Sequence, residues 1–131
     1  MAIRAIFRSD WVMTMSKYKS RKITKDGMVF DSLREYKRYT ELALLEKAGQ
    51  ISDLQRQEKF VLIPAQYETV IDKNGKWKHK CVERECAYYA DFTYWKDGYK
   101  VVEDTKGFRT KDYIIKRKLM RYMNDIAIVE I

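Results

Sequence analysis

Several residue types are scarce in this chain, and each scarcity excludes something. Two cysteines, Cys81 and Cys86, and one histidine, His79, occur in 131 residues. Two thiols do not make a disulfide framework. With His79 they offer three N/S ligands, where a structural zinc wants four. Along a strand, residues 79 and 81 would face one way and 86 the other. Zinc is therefore not expected, and free thiols are. With one proline and five glycines, the chain has no low-complexity tract or linker. No apolar run approaches the roughly 18 residues of a membrane span. The opening MAIRAIFRSDWVMTMSKYKS lacks the unbroken apolar stretch of a secretory signal. The expectation is a cytoplasmic protein with no membrane partner.

Apolar residues are plentiful, at 46%, and they include ten tyrosines, five phenylalanines and three tryptophans. Such a chain can bury a core, and its length is that of one ordinary domain. Acid is in deficit: 27 Lys/Arg face 19 Asp/Glu, for a net charge of +8. The excess is localised. Residues 1–26 carry seven Lys/Arg against two Asp, and residues 106–121 carry seven against one. Between them the balance is nearly even, with thirteen bases and fourteen acids over 27–105. Clustered positive charge favours a polyanion such as nucleic acid. Residues 1–26, which lack clear periodicity, read as a basic N-terminal arm, and 27–131 as a single domain.

FDSLREYKRYTELALLEKAG predicts a helix. Asp31 or Ser32 can cap its start and Gly49 its end, with Leu33, Tyr36, Thr40 and Leu44 on one stripe and Tyr39, Leu42 and Leu45 close by. QRQEKFVLIP reads as a strand ending near Pro64. Asn74-Gly75 between alternating runs predicts a hairpin turn. A long strand through CAYYADFTYW follows, then Asp97-Gly98 as a second turn, and YKVVEDTK. Thr110 can cap a second helix, with Ile115, Leu119, Tyr122 and Met123 as its apolar stripe and Lys111, Lys118 and Arg121 on the polar side. IAIVEI predicts a closing strand buried on both faces. The order is α-β-β-β-β-α-β, an α/β (α+β) class.

The second hairpin carries chemistry. With Asp97-Gly98 as a two-residue loop, Lys96 pairs with Tyr99 and every later pair sums to 195. Asp91 then falls opposite Asp104, with Cβ atoms roughly 4.5–5.5 Å apart. Lys106 shares that face, two residues on. Two carboxylates about 4 Å apart repel by roughly 4 kcal/mol at an effective dielectric near 20. Solvation, a lysine partner or a divalent cation would relieve this. Asp oxygens are the hard ligands that Mg²⁺ takes, together with water and phosphate oxygens. Two aspartates, a metal and a lysine can hydrolyse a phosphodiester. On a wet surface the same residues are an ordinary ion pair. The aromatics Tyr88, Tyr89, Phe92, Tyr94 and Trp95 argue for partial burial, which makes an unpaired carboxylate costlier.

Asp91 in YYADF, with Asp104 and Lys106 in VVEDTKG, resembles the PD-(D/E)XK nuclease superfamily. Ala90 stands where the motif name has proline. The longer run, KYKSRKITKDGMVFDSLREYKRYTELALLEKAGQISDLQRQEKFVLIPA followed by YYADFTYW, VVEDTKG and the lysine-rich helix, looks like small phage and prophage proteins described as Holliday-junction-resolvase-like nucleases. The resemblance spans about residues 17–124. It implies a restriction-endonuclease-like core, helices on a mixed sheet, and a first-helix acid that completes a metal site. That acid is Glu35, with Glu41 and Glu46 as weaker candidates. Without the resemblance, a glutamate on an exposed helix face would be unremarkable.

The resemblance also implies roles. Asp91, Asp104 and the backbone carbonyl of Thr105 would bind Mg²⁺ or Mn²⁺, one or two ions. Glu35 would hold a second ion or a metal-bound water, and Lys106 would position the attacking water. Gln57 matches a polar position near such sites. Glu103 has the wrong strand parity. Lys111, Lys116, Arg117, Lys118 and Arg121 would grip DNA phosphates, which binds without reading bases, although Lys116 could instead belong closer to the site. A junction resolvase would act on branched DNA as a homodimer, in the host cytoplasm if phage-encoded. The alternatives are a nuclease or nickase on linear or single-stranded DNA, a non-catalytic DNA-binding module on the same fold, and an interaction protein with surface ion pairs.

Overall fold

The computed structural model describes residues 12–15, 21–106 and 108–131. Residues 1–11 and 16–20 of the expected basic arm lie outside the described residues. The fold is mixed α and β, with two helices and a mixed sheet among the described residues. None of the described helices is long and apolar enough to cross a membrane. The chain divides into two compact units, Met1–Leu54 and Gln55–Ile131.

Among the described residues the first unit has three antiparallel strands in the order β1 (Val12–Met15), β2 (Arg21–Lys25) and β3 (Met28–Phe30). Part of the stretch read as an arm is therefore strand. Lys25 pairs with Met28 across Asp26 and Gly27, both at positive φ (51° and 78°). These are the two left-handed positions of a tight hairpin turn. Helix α1 (Leu33–Lys47) follows, capped by Ser32, whose Oγ accepts from the Glu35 amide at 3.1 Å. It ends with Gln50 N–H on the Leu45 carbonyl and Gly49 N–H on the Glu46 carbonyl. That paired closure needs a left-handed residue, and Gly49 supplies it at φ +78°. The buried face of α1 runs through Glu35, Tyr39, Leu42 and Leu45. It does not follow the stripe through Thr40 and Leu44, both of which are exposed. Leu42, Ile23, Phe30 and Ile51 are buried in this unit, with the Phe30 ring edge-on to Tyr36.

The main sheet runs β4 (Ser52–Ile63), β7 (Cys86–Lys96), β8 (Tyr99–Asp104), β9 (Val129–Glu130). β7 and β8 are antiparallel, while β8 and β9 are parallel. Helix α2 (Lys111–Asn124) is capped by Thr110, whose Oγ1 accepts from the Tyr113 amide. It ends at Asp125 in the left-handed region. The core gathers Leu62, Tyr88, Ala90, Val102, Tyr113 and Met120, with Ile114, Leu119, Ile126 and Ile128 against it. The buried line of α2 is thus Tyr113 to Met120. Ile115, Tyr122 and Met123, expected to be apolar core, are exposed. The closing strand is only two residues long and Val129 is partly exposed, so burial on both faces does not hold.

Between β4 and β7, strands β5 (Gln66–Ile71) and β6 (Trp77–Glu83) form a separate two-stranded sheet. Five strands therefore lie between the helices instead of four. Ile71 pairs with Trp77, so the turn is longer than the two-residue Asn74-Gly75 loop expected. Asp72 organises it: its Oδ1 accepts from the amides of Asn74 and Lys76, and only Gly75 takes positive φ. Asp72 N–H also donates to the Lys76 carbonyl, which closes a three-residue loop, 73–75, with glycine at its left-handed position.

Candidate functional site

The β7–β8 hairpin turns on Asp97 and Gly98, at φ 51° and 81°. The observed pairs are Lys96–Tyr99, Trp95–Lys100, Tyr94–Val101, Thr93–Val102 and Phe92–Glu103. All follow the register read from the sequence. The next pair in that register is Asp91 and Asp104, at the end of the ladder. Asp104 is buried, at 2% exposure, and Asp91 is half-buried.

Each carboxylate is held by neighbours. The Tyr88 hydroxyl donates to Asp104 Oδ2 at 2.5 Å, and Lys106 Nζ lies 3.3 Å from Asp104 Oδ1. Asp91 Oδ2 accepts from both the amide and the Oγ1 of Thr105, each at 2.8 Å. Asp91 Oδ1 accepts from Gln57 Nε2 at 3.2 Å. Gln57 sits in mid-strand with φ +53°. A non-glycine residue rarely adopts that conformation, and such kinks re-aim side chains beside functional sites. The Lys106 ammonium also lies 4.3 Å from the centroid of the Tyr113 ring. The backbone is pinned from the far side by the last strand. Ile131 N–H donates to the Asp104 carbonyl, and Lys106 N–H donates to that of Ile131.

Burial raises the Asp104 carboxyl from its ordinary 3.8 to about 7, and hydrogen bonding with Asp91 adds to the rise. The Tyr88 hydrogen bond and the Lys106 charge work against it. Tyr88 is itself pushed far up by burial and by Asp104, so its hydroxyl stays a donor. The pair is therefore a strained acidic couple with one cation beside it, and a hard cation would relieve it.

The donor chemistry fits such a cation: two carboxylates, with no sulfur or imidazole beside them. Among the described residues no group of three or more His, Cys, Asp or Glu side chains is gathered for a metal. Mg²⁺ is commonly held by one or two carboxylates, with water and substrate phosphate completing its shell. Cys81 and Cys86 are free thiols.

The structure thus brings together Asp91, Asp104, Thr105, Lys106 and Gln57. Glu35 belongs to the first unit, where it is buried and its Oε2 accepts from the Asp31 amide at 3.1 Å. Burial is the reverse of what a solvated helix surface would give. Glu103 lies on the opposite face of β8, buried, and accepts from the Tyr94 hydroxyl. On α2, Lys116 pairs with Asp112 at 3.4 Å and Arg117 approaches Glu130 at 3.6 Å. Lys111, Lys118 and Arg121 are exposed, and Arg117, Lys118 and Arg121 line a depression of about 380 Å³. Sequence reasoning placed Tyr88 near the site only as an aromatic neighbour, and it did not single out Tyr113. No local pattern marks Tyr113. Its position one turn past the Thr110 cap and under Lys106 is a product of packing.

Residues 15–128 match the family described as "Protein of unknown function (DUF1064)", and the chain belongs to that family. No curated protein and no solved structure matches the chain.

Proposed function

We propose that the chain is a metal-dependent endodeoxyribonuclease, acting on branched DNA in the manner of a junction resolvase. The observation that carries this reading is the paired Asp91 and Asp104 carboxylates with Lys106 Nζ 3.3 Å from one of them. Asp91, Asp104 and the Thr105 carbonyl would hold Mg²⁺ or Mn²⁺. When bound, the ion would polarise the phosphoryl group and acidify a water.

The remaining work falls to the chain. Gln57 and Thr105 fix Asp91, and Tyr88 fixes Asp104, so the two carboxylates are positioned to take an ion without reorganising. Lys106 orients the attacking water in line with the scissile bond and offsets the negative charge that develops on the phosphoryl oxygens. The cations of α2, together with the surplus charge of the chain, hold the DNA backbone. Symmetric cutting of a junction would require two copies, hence a homodimer.

The test is cleavage of a labelled four-way junction, a matched duplex and a single strand, each with Mg²⁺, Mn²⁺ or EDTA. Paired cuts near the junction centre, absent with EDTA and lost by at least about a hundredfold in Asp104→Ala, are the expected result. Cutting of all three substrates would keep the nuclease and discard the junction preference. Binding without cutting, in a folded protein with metal present, would leave a DNA-binding module.

A further inference from the structure

The β5–β6 hairpin has no buried residue; only Val70 and Asp72 are half-covered. An isolated two-stranded sheet is marginal in water, so a long hairpin left bare by the described residues calls for a partner. Its register sorts the side chains onto two faces. Val70 pairs with Lys78 and Glu68 with Lys80, and Lys76, which precedes β6, continues that alternation from the turn. The other face carries the pairs Ile71–Trp77, Thr69–His79 and Tyr67–Cys81. Trp77 is 71% exposed.

Glu68 stands opposite Lys80 on the lysine face, yet no lysine there is neutralised by direct contact with a described residue. Lys76, Lys78 and Lys80 make no ion pair with any described residue, unlike Lys59, Lys100, Lys106 and Lys116 elsewhere in the same unit. Asp72, the nearest acid at the tip, is occupied by two turn amides. Lys78 and Lys80 also border an open concavity of about 580 Å³ at the turn. Residues alternating on one strand face stand roughly 6.6–6.8 Å apart, which sets Lys78 and Lys80 in a row that Lys76 extends into the turn. A row of unpaired cations complements a phosphodiester backbone, and a two-stranded ribbon is narrow enough to enter the major groove. The opposite face offers an indole and a phenol, flat surfaces on which unpaired bases stack.

We infer that the β5–β6 hairpin is a DNA-binding arm. Lys76, Lys78 and Lys80 take backbone phosphates, and Trp77 stacks on a base freed where strands part. This deepens the nuclease reading and rests on DNA being the substrate. It also gives a physical basis for preferring branched DNA over a linear duplex, because a branch point supplies backbone for one side of the ribbon and an unstacked base for the other.

The experiment is an anisotropy titration in EDTA, so that binding is read without cleavage. It compares wild type, Lys76→Ala/Lys78→Ala/Lys80→Ala and Trp77→Ala on a four-way junction and a matched duplex, over a salt series. The triple variant is expected to flatten the dependence of log Kd on log salt by about two to three units on both DNAs. Trp77→Ala is expected to weaken junction binding roughly tenfold and duplex binding little. Wild-type affinity and salt slope in both variants, with cleavage intact in Mg²⁺, would overturn the arm and leave the nuclease standing. The expected binding losses in a protein that never cuts would support the arm and remove the nuclease. No DNA binding by the wild type would remove both. Lysines along an edge strand also guard against edge-to-edge pairing. Aggregation of the triple variant with unchanged DNA binding by Trp77→Ala would assign them that role and overturn the arm. A Trp77→Ala protein that changes oligomeric state but binds DNA normally would make this face an interface between copies, and would overturn it as well.

Discussion

At the scale of single residues, Asp104 is where stability and chemistry meet. Its carboxyl titrates near 7 in the fold and near 3.8 when unfolded. The folded protein therefore holds a proton that the unfolded chain releases. This contribution is fully present below about 3.8 and is lost as pH rises through about 7. Asp104→Asn removes the titration. In EDTA, the variant is expected to gain melting temperature relative to wild type as pH rises from 5 to 8, and adding Mg²⁺ is expected to raise only the wild type. A constant difference across that range would show that the carboxyl is not perturbed. Tyr88→Phe strips the donor from a buried acceptor and should cost about 1–3 kcal/mol in urea unfolding, with cleavage reduced as well. Glu35→Gln keeps an acceptor for the Asp31 amide, so the helix signal in circular dichroism should survive. Cleavage is expected to be lost if its charge serves the reaction, and retained cleavage would limit Glu35 to capping.

At the scale of elements, the site depends on one turn. Asp97 and Gly98 both lie at positive φ, and a shift of one residue would turn the paired side chains to the other face of the sheet. Gly98→Val places a β-branched residue in the left-handed region. It is expected to cost on the order of 1–2 kcal/mol in urea unfolding, with a disproportionate loss of cleavage. This hairpin was legible in the sequence because Asp-Gly sits between alternating runs. Asp26-Gly27 makes the same turn, but its flanks, Arg-Lys-Ile-Thr-Lys, read as a charge run and hid two strands. The helix faces were misjudged for another physical reason. Tyrosine and isoleucine count as apolar in any periodicity, yet Ile115 and Tyr122 remain in solvent while Tyr113 is covered. On α1 the buried stripe includes a glutamate, which no hydrophobic pattern can reveal.

At the scale of the whole molecule, charge is the dominant property. A net charge of +8 with unpaired cations on α2 and on β6 predicts binding that weakens steeply with salt. Lys118→Ala/Arg121→Ala is expected to reduce the salt slope by about two units without changing the rate of cleavage at saturating DNA. An unchanged slope would place the DNA elsewhere. Charge segregation was readable from the sequence at once. The division into two units was not, because no proline- or glycine-rich linker marks it and β4 runs through the boundary.

The left-handed Gln57 has a consequence for how this protein can change. Holding a glutamine at φ +53° in mid-strand costs on the order of 1–3 kcal/mol. Glycine would relieve it and would also remove the side-chain donor from Asp91 Oδ1, leaving only the two from Thr105. A laboratory selection for heat resistance alone should therefore enrich Gln57→Gly, and a selection that also demands cutting should purge it. The position would then record which of two pressures a lineage has felt.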